Sequence, residues 1–550
     1  MKRIVALLLV LICIASPVSA RAAEAEIEPY EYIAAETVPQ IYIETANGIA
    51  LDDATLVDPE KKTGTRGELN VYNYADGTVS VRDCEGYEFE DAACQVKIRG
   101  NYTATTPKYP LRIKFEESRA MCGLNDGHKM KNWVLLAEYN DDSLLRNSTA
   151  FYIARSLYSS TGNYASDFRN VEVYINGEYY GLYVLAEQQQ VNKYRIDIPE
   201  AEDPDDCDTE SMSEEELAAL KDGHIGYFLE YDGYYFNEDP AETFSIRYDE
   251  VTRPNGRTFL PTSAANEPRA SEESASGESS RRRGGFGRSR SNGDTRETGF
   301  TIKSDIYFEE QNTFIQNTMQ TIWDVLYDAV YTDHSDRTAN PYHTMDGDGN
   351  YIEAPSFTSA YEAVASVVDV DSLLDMYILQ ELAQDSDLDW SSRFFYIDMS
   401  PEGNHLLTYT APWDFDHAFS GNTGSLYVMN YDNPWFVLFY GQDWFWELLN
   451  ERWDAAMEAG VFTGLFDMLD TVTEINADAY DRNSERWSRG GWGGRRNSSR
   501  SGSGEASAES TSAHVRAEQS LRSWLETKID SLDRLIDEMA GGAPAAGRAS

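Results

Sequence analysis

Five aspartates in two short clusters carry the chemistry most open to this chain: Asp385, Asp387 and Asp389, and then Asp414 and Asp416 within Trp413-Asp414-Phe415-Asp416. Between the clusters, Arg393 to Asp398 and His405 to Thr410 are rich in aromatic and branched residues, and Pro401, Gly403 and Asn404 lie between them as turn formers. That pattern predicts a β-hairpin, which brings both clusters to one end of a small sheet. One carboxylate can then orient a substrate hydroxyl and accept its proton, while another holds a divalent metal against nucleotide phosphates. The chain has 94 acidic residues, so chance alone also gathers some of them in solvated loops. The neighbours Trp413, Phe415, Ala418 and Phe419 argue for partial burial, where a carboxylate needs a metal or hydrogen bonds to compensate it.

The elements that must position these acids begin far upstream. Val96 to Thr103 and Lys108 to Phe115 read as two strands around a short polar loop. Gly100 permits close backbone approach, Lys97 and Arg99 bring charge to the turn, and the alternation of Leu111, Ile113 and Phe115 puts Arg112 and Lys114 on the opposite face. Such a cationic face suits phosphates, and it equally suits pairing with surface acids.

Across residues 90 to 425 the chain resembles the spore-coat protein H (CotH) kinase family. The blocks occur in family order: Ile98-Arg99-Gly100-Asn101 with Tyr109 to Phe115, Lys131 to Ala137, Ser143 to Asn147, Val173 to Tyr183 with Glu187, Glu381-Leu382 leading to Asp387, and Pro412 to Asp416. The resemblance implies an α+β, divergent two-lobed protein-kinase-like fold. It also implies an atypical Ser/Thr protein kinase that uses ATP with Mg2+ or Mn2+ on extracytoplasmic proteins. Carried over by position, Asp387 resembles the catalytic aspartate and Asp414 the metal-binding one, with Asp416 a second metal or structural carboxylate. Lys114 resembles a phosphate-contacting lysine, Arg99 reaches the same phosphates from the loop, and Glu187 stands near an interlobe hinge or pairs with a lysine.

Two features depart from that pattern. Asp385 stands where the family pattern has Asn, adding negative charge beside Asp387, and Ser392 replaces a metal-binding Asn with a weaker hydroxyl ligand. The register within Asp385 to Asp389 leaves Asp389 as the fallback for the catalytic role. A catalytically silent kinase-like surface or adhesion module is the alternative function. No phosphate-binding loop ending in Gly-Lys-Ser/Thr, dinucleotide fingerprint, paired zinc-type histidines or Cys-x-x-Cys is present. Asp346-Gly347-Asp348-Gly349-Asn350 begins like a calcium loop, but Phe357 stands where the closing acid belongs, so it reads as a surface turn.

Lys2 and Arg3 precede an apolar run from Ile4 to Ala15, followed by Pro17-Val18-Ser19-Ala20. This predicts a cleaved signal peptide over 1–20 and a secreted or extracytoplasmic protein without a membrane span. The chain beyond it holds Cys84, Cys94, Cys122 and Cys207, an even number with no rule to fix a pairing; Cys84 and Cys94 enclose the shortest loop, and free buried thiols are as reasonable. A formal net charge of -48 excludes nucleic acid and favours basic, Ser-bearing protein substrates. The expected organisation is an N-terminal extension at 21–89, a kinase-like N-terminal part at 90–252 and a kinase-like C-terminal part at 299–481. Disordered Ser/Gly/Arg-rich segments are expected at 253–298 and 482–515, serving as linkers, docking arms or phosphoacceptors. An amphipathic helix is expected at 516–540, with Leu521, Trp524, Leu525, Ile529, Leu532, Leu535, Ile536 and Met539 at helical spacing, then a disordered tail at 541–550.

Overall fold

The structure is a computed structural model that describes residues 26–541 except 35, 64–68, 208, 210, 267–296 and 488–512. The expected signal peptide, the Ser/Arg-rich centres of both insertions and the C-terminal tail lie outside the described residues.

Alternating apolar residues build the first part of the molecule. Seven strands close into a barrel in the order Gln40–Thr45, Ala75–Arg82, Phe89–Ile98, Leu111–Arg119, Met130–Leu136, Glu178–Glu187 and Phe168–Ile175. The barrel closes because Phe168–Ile175 pairs in parallel with Gln40–Thr45, while the other junctions are antiparallel. Ile41, Val79, Val96, Ile113, Trp133, Val173 and Leu185 fill the interior, and their strand neighbours point outward. Two of the staves come from the stretch 21–89.

The second sheet has the order Thr243–Phe244, Gly299–Ile302, Gly226–Asp232, Arg393–Asp398 and Thr408–Thr410. Its last pair is the expected hairpin, with Phe394 opposite Thr410. Against it lies Val370–Ala383, a helix buried on every side. A helix with Asp375, Gln380 and Glu381 buried along with its apolar residues needs the partners it has here: Arg146–Tyr158 on one side and Asp443–Ala459 and Ala513–Met539 on others. Within that terminal helix Leu521, Leu525, Ile529, Leu532 and Ile536 are buried. Its Lys528 is buried too, 3.8 Å from Glu381 of the central helix, and the Glu381 carboxylate accepts hydrogen bonds from Tyr427 N (2.6 Å) and Val428 N (3.0 Å).

The α+β content agrees with expectation, but a clear division into two lobes does not emerge. The barrel is closed, and its outward-facing Val134, Leu136, Val184 and Ala186 join the hydrophobic core of the helical part. No helix among the described residues is long and apolar enough to cross a membrane. Asp346 caps a tight turn by accepting from the amides of Asp348 (3.0 Å) and Asn350 (2.8 Å), between the short strands His343–Met345 and Tyr351–Glu353.

Candidate active site

Both aspartate clusters sit at one end of the hairpin because each immediately flanks one of its strands. The central helix ends at Gln384 in the left-handed conformation, φ 48°, and the chain turns through Asp385 to Ser392 before entering Arg393–Asp398. After Thr408–Thr410 it passes Ala411 at φ 46° and reaches Asp414 at φ 69°. Ser392 is also left-handed, at φ 62°. Four non-glycine residues in this conformation around one hairpin end are costly, and strain of this kind concentrates at functional sites.

Asp387, Ser392, Asp414 and Asp416 line one wall of a cavity of about 610 Å³, and Lys97, Arg99 and Arg112 of the barrel line the other. Gly100 turns the chain at the rim with φ 91°, where a β-carbon would strike Thr103 Oγ1 at 2.4 Å. The Arg99 guanidinium lies 5.5 Å from the Trp413 ring centroid, bridging barrel and hairpin. Lys303 and Glu230 pair at 2.8 Å along the same lining, and Glu230 Oε1 accepts from Ser392 N at 3.2 Å.

Each wall is crowded with its own sign. Burial, and then the positive charges of Arg112, Lys61 and Arg99, pull the Lys97 pKa down. Burial lowers that of Arg99 as well, against the attraction of Asp414. Opposite them, removal from bulk solvent and then the charge of Asp387 push Asp414 up. The Asp414 side chain is open to the cavity, and its Oδ2 receives one long hydrogen bond, 3.4 Å, from Ser392 Oγ. Burial and the charge of Asp414 raise Asp416 to about 6.

Asn147, from the first turn of helix Arg146–Tyr158, ties the acidic loop down. Its Nδ2 donates to Asp416 Oδ1 (2.7 Å) and to Glu138 Oε1 (2.6 Å), and its Oδ1 accepts from Phe415 N (3.0 Å). Arg146 adds a bond to the Asp416 carbonyl at 2.9 Å. Ordered donors thus occupy part of Asp416, whereas Asp414 faces the cavity. Among the described residues no three His, Cys, Asp or Glu side chains form a ready metal cage. A pair of mutually repelling carboxylates with a spare lone-pair face nevertheless fits a magnesium-type ion, which takes only one or two protein carboxylates and completes its shell with phosphates and water.

The remaining expected residues lie elsewhere. Asp385 is buried and paired with Arg393, so its extra charge is compensated; burial still raises it to about 6. Asp389 lines a different cavity, with Arg253, Tyr427 and Asp432. Lys114 is exposed, opposite Asn132 and Gln95, and lies outside the lining of the first cavity, which Arg112 reaches from the same strand face. Glu187 is fully buried, pairs with Arg195 at 3.0 Å rather than with a lysine, and accepts from Asp167 N and Asn125 Nδ2. The next residues, Gln188 to Gln190, do line the cavity. Lys303, Glu230, Asp232 and His417 were not singled out from sequence. A charged Glu230 amid Tyr227, Phe228, Leu229 and Tyr231 was the one available signal.

A cationic barrel edge thus faces an acidic hairpin end across one cavity. The model of the CotH kinase protein family matches residues 96–235 and 294–534, and the chain belongs to that family. The matched segments contain both walls of the cavity. A search of curated proteins returned no match.

Proposed function

We propose that this protein is a secreted, metal-dependent atypical kinase that moves the γ-phosphate of ATP to Ser or Thr of extracytoplasmic proteins. The observation that carries this reading is the opposition of Lys97, Arg99 and Arg112 to Asp387, Asp414 and Asp416 across one cavity. A ligand with polyanionic phosphates and a bound cation matches both walls; a simple anion or cation matches one. Lys97, Arg99 and Arg112 hold phosphate oxygens. Asp414 and Asp416 would hold Mg2+ or Mn2+, which supplies neutralisation of phosphate charge when bound. Asp387, half-buried and anchored through its amide to Asp385 Oδ1 at 3.1 Å, orients the acceptor hydroxyl and takes its proton as the hydroxyl oxygen bonds to the γ-phosphorus and the bond from that phosphorus to the β–γ bridging oxygen breaks, releasing ADP. Basic serine-bearing segments, including those of this chain at 281–291 and 489–502, suit the acidic surroundings as acceptors.

The test is incubation of the full-length protein with γ-labelled ATP and Mg2+ or Mn2+, alone and with secreted proteins. Label on serine or threonine is the expected result. Nucleotide binding without any transfer would leave the catalytically silent module as the correct reading.

A further inference from the structure

Three of the four cysteines beyond the leader are buried in the barrel, but two of them belong together. Cys84 opens the turn after Ala75–Arg82 and Cys122 lies in the loop after Leu111–Arg119, with exposures of 2 % and 0 %. A single buried guanidinium gathers them: Arg169 Nη1 donates to Cys122 O at 2.6 Å and lies 3.7 Å from Cys84 Sγ. The two loops are also packed on each other, since the Tyr87 side chain sits so close to Gly123 and Gly127 that a β-carbon on the first would meet its ring at 3.1 Å and one on the second its hydroxyl at 2.8 Å. Arg169 and the packed loops thus make the two buried cysteines neighbours. Cys94 lies on a strand, opposite Gly77 and Phe115, and Cys207 hydrogen bonds to Glu202.

We propose that Cys84 and Cys122 form a disulfide that staples the end of the barrel remote in sequence from the hairpin, with Cys94 and Cys207 remaining thiols. Two buried cysteines gathered by one guanidinium in interpacked loops have the proximity a bridge requires, whereas Cys94, of the sequence-shortest pair, faces Gly77 and Phe115 across its strand. The neighbouring Cys122, and then the charge of Arg169, lower the Cys84 thiol against the effect of burial, while Cys84 and burial raise that of Cys122. One of the two thiolates displaces one thiol from a low-molecular-weight or protein disulfide, forming a mixed disulfide. The other thiolate then displaces the second thiol, so two cysteine thiols are oxidised, one external disulfide is reduced to two thiols, and no other reactant is consumed. The burial of both sulfurs requires this exchange to occur while the chain folds. The proposal does not depend on phosphoryl transfer.

The test is refolding of the mature chain with glutathione disulfide, alkylation of free thiols under denaturing conditions, and peptide mapping by mass spectrometry. A linked Cys84–Cys122 peptide with alkylated Cys94 and Cys207 is expected. Complete alkylation of both Cys84 and Cys122, or a Cys84–Cys94 link, overturns the proposal. Dithiothreitol should lower Tm by about 5 °C, to the value of the Cys84→Ala, Cys122→Ala double variant, and leave that variant unchanged. An equal fall in both proteins would contradict the staple even if each folds.

Discussion

The two walls of the cavity are built by opposite strategies. The barrel wall displays Lys97 and Arg112 from neighbouring strands whose register is fixed by a dry interior, Lys97 opposite Arg112, so its charges are held by regular structure. The hairpin wall displays Asp387, Asp414 and Asp416 from irregular backbone with left-handed residues, restrained by Asn147, Ser392 and Arg146. A β-sheet can hold phosphate-binding cations at a fixed spacing, because phosphates accept several donor geometries. Metal binding and proton transfer, as proposed for the hairpin wall, demand fixed directions, which a strained loop over-determined by side chains is suited to supply. Damage to the hairpin wall should therefore remove chemistry, and damage to the barrel wall should weaken binding.

The largest effect is expected at Asp387. Asp387→Asn should reduce phosphate transfer by about 1000-fold while leaving the ATP-induced rise in Tm intact; loss of both together would move Asp387 into the binding wall. On the barrel wall, Lys97→Met with Arg112→Met should raise the nucleotide Kd by about 10- to 100-fold and flatten its salt dependence. Lys114→Met should do neither. An equal effect from Lys114 would mean that the cationic surface works as a diffuse field rather than through the cavity lining.

That contrast also marks how far the sequence could be read. The hairpin, the terminal helix Ala513–Met539 and the convergence of Asp387 with Asp414 and Asp416 were legible because they rest on local periodicity and turn residues. Alternation also told that Arg112 and Lys114 share a face, but not which end of that face borders a cavity. Asp387 and Asp389 are two residues apart, yet the turn in which Asp387 O accepts from Trp390 N sends them to different cavities, a distinction that side-chain type does not encode. Barrel closure depends on Gln40–Thr45 meeting Phe168–Ile175, and the Lys303–Glu230 pair on two separate strands meeting. Both are long-range pairings without a local signature.

A smaller effect is expected from the restraint on the acidic loop. Asn147→Ala leaves Asp416, Glu138 and the Phe415 amide short of partners and should cost about 2 kcal/mol in a denaturant titration, with a larger rise in the metal concentration needed for half activity than in the ATP KM. A matched change in both would make Asn147 a general packing residue. The pH dependence is smaller again. Asp416 is raised from 3.8 to about 6, so the folded state holds its proton more tightly, and stability of the metal-free protein should decline as pH rises between those values. Asp416→Asn should remove that part of the decline, so its Tm relative to wild type should increase from pH 4 to pH 6.5. A constant difference would show that Asp416 is not penalised for its charge in the folded protein.

The central claim is that one ligand bridges both walls, phosphates on the cationic side and metal on the acidic side. Titration calorimetry of ATP into the wild type, with Mg2+ and then with a chelator, tests it directly, with Asp414→Ala as the paired protein. Binding that weakens at least 10-fold without Mg2+ in the wild type, and no longer responds to Mg2+ in the variant, is the predicted result. Equal affinity with and without Mg2+ in the wild type would contradict the account.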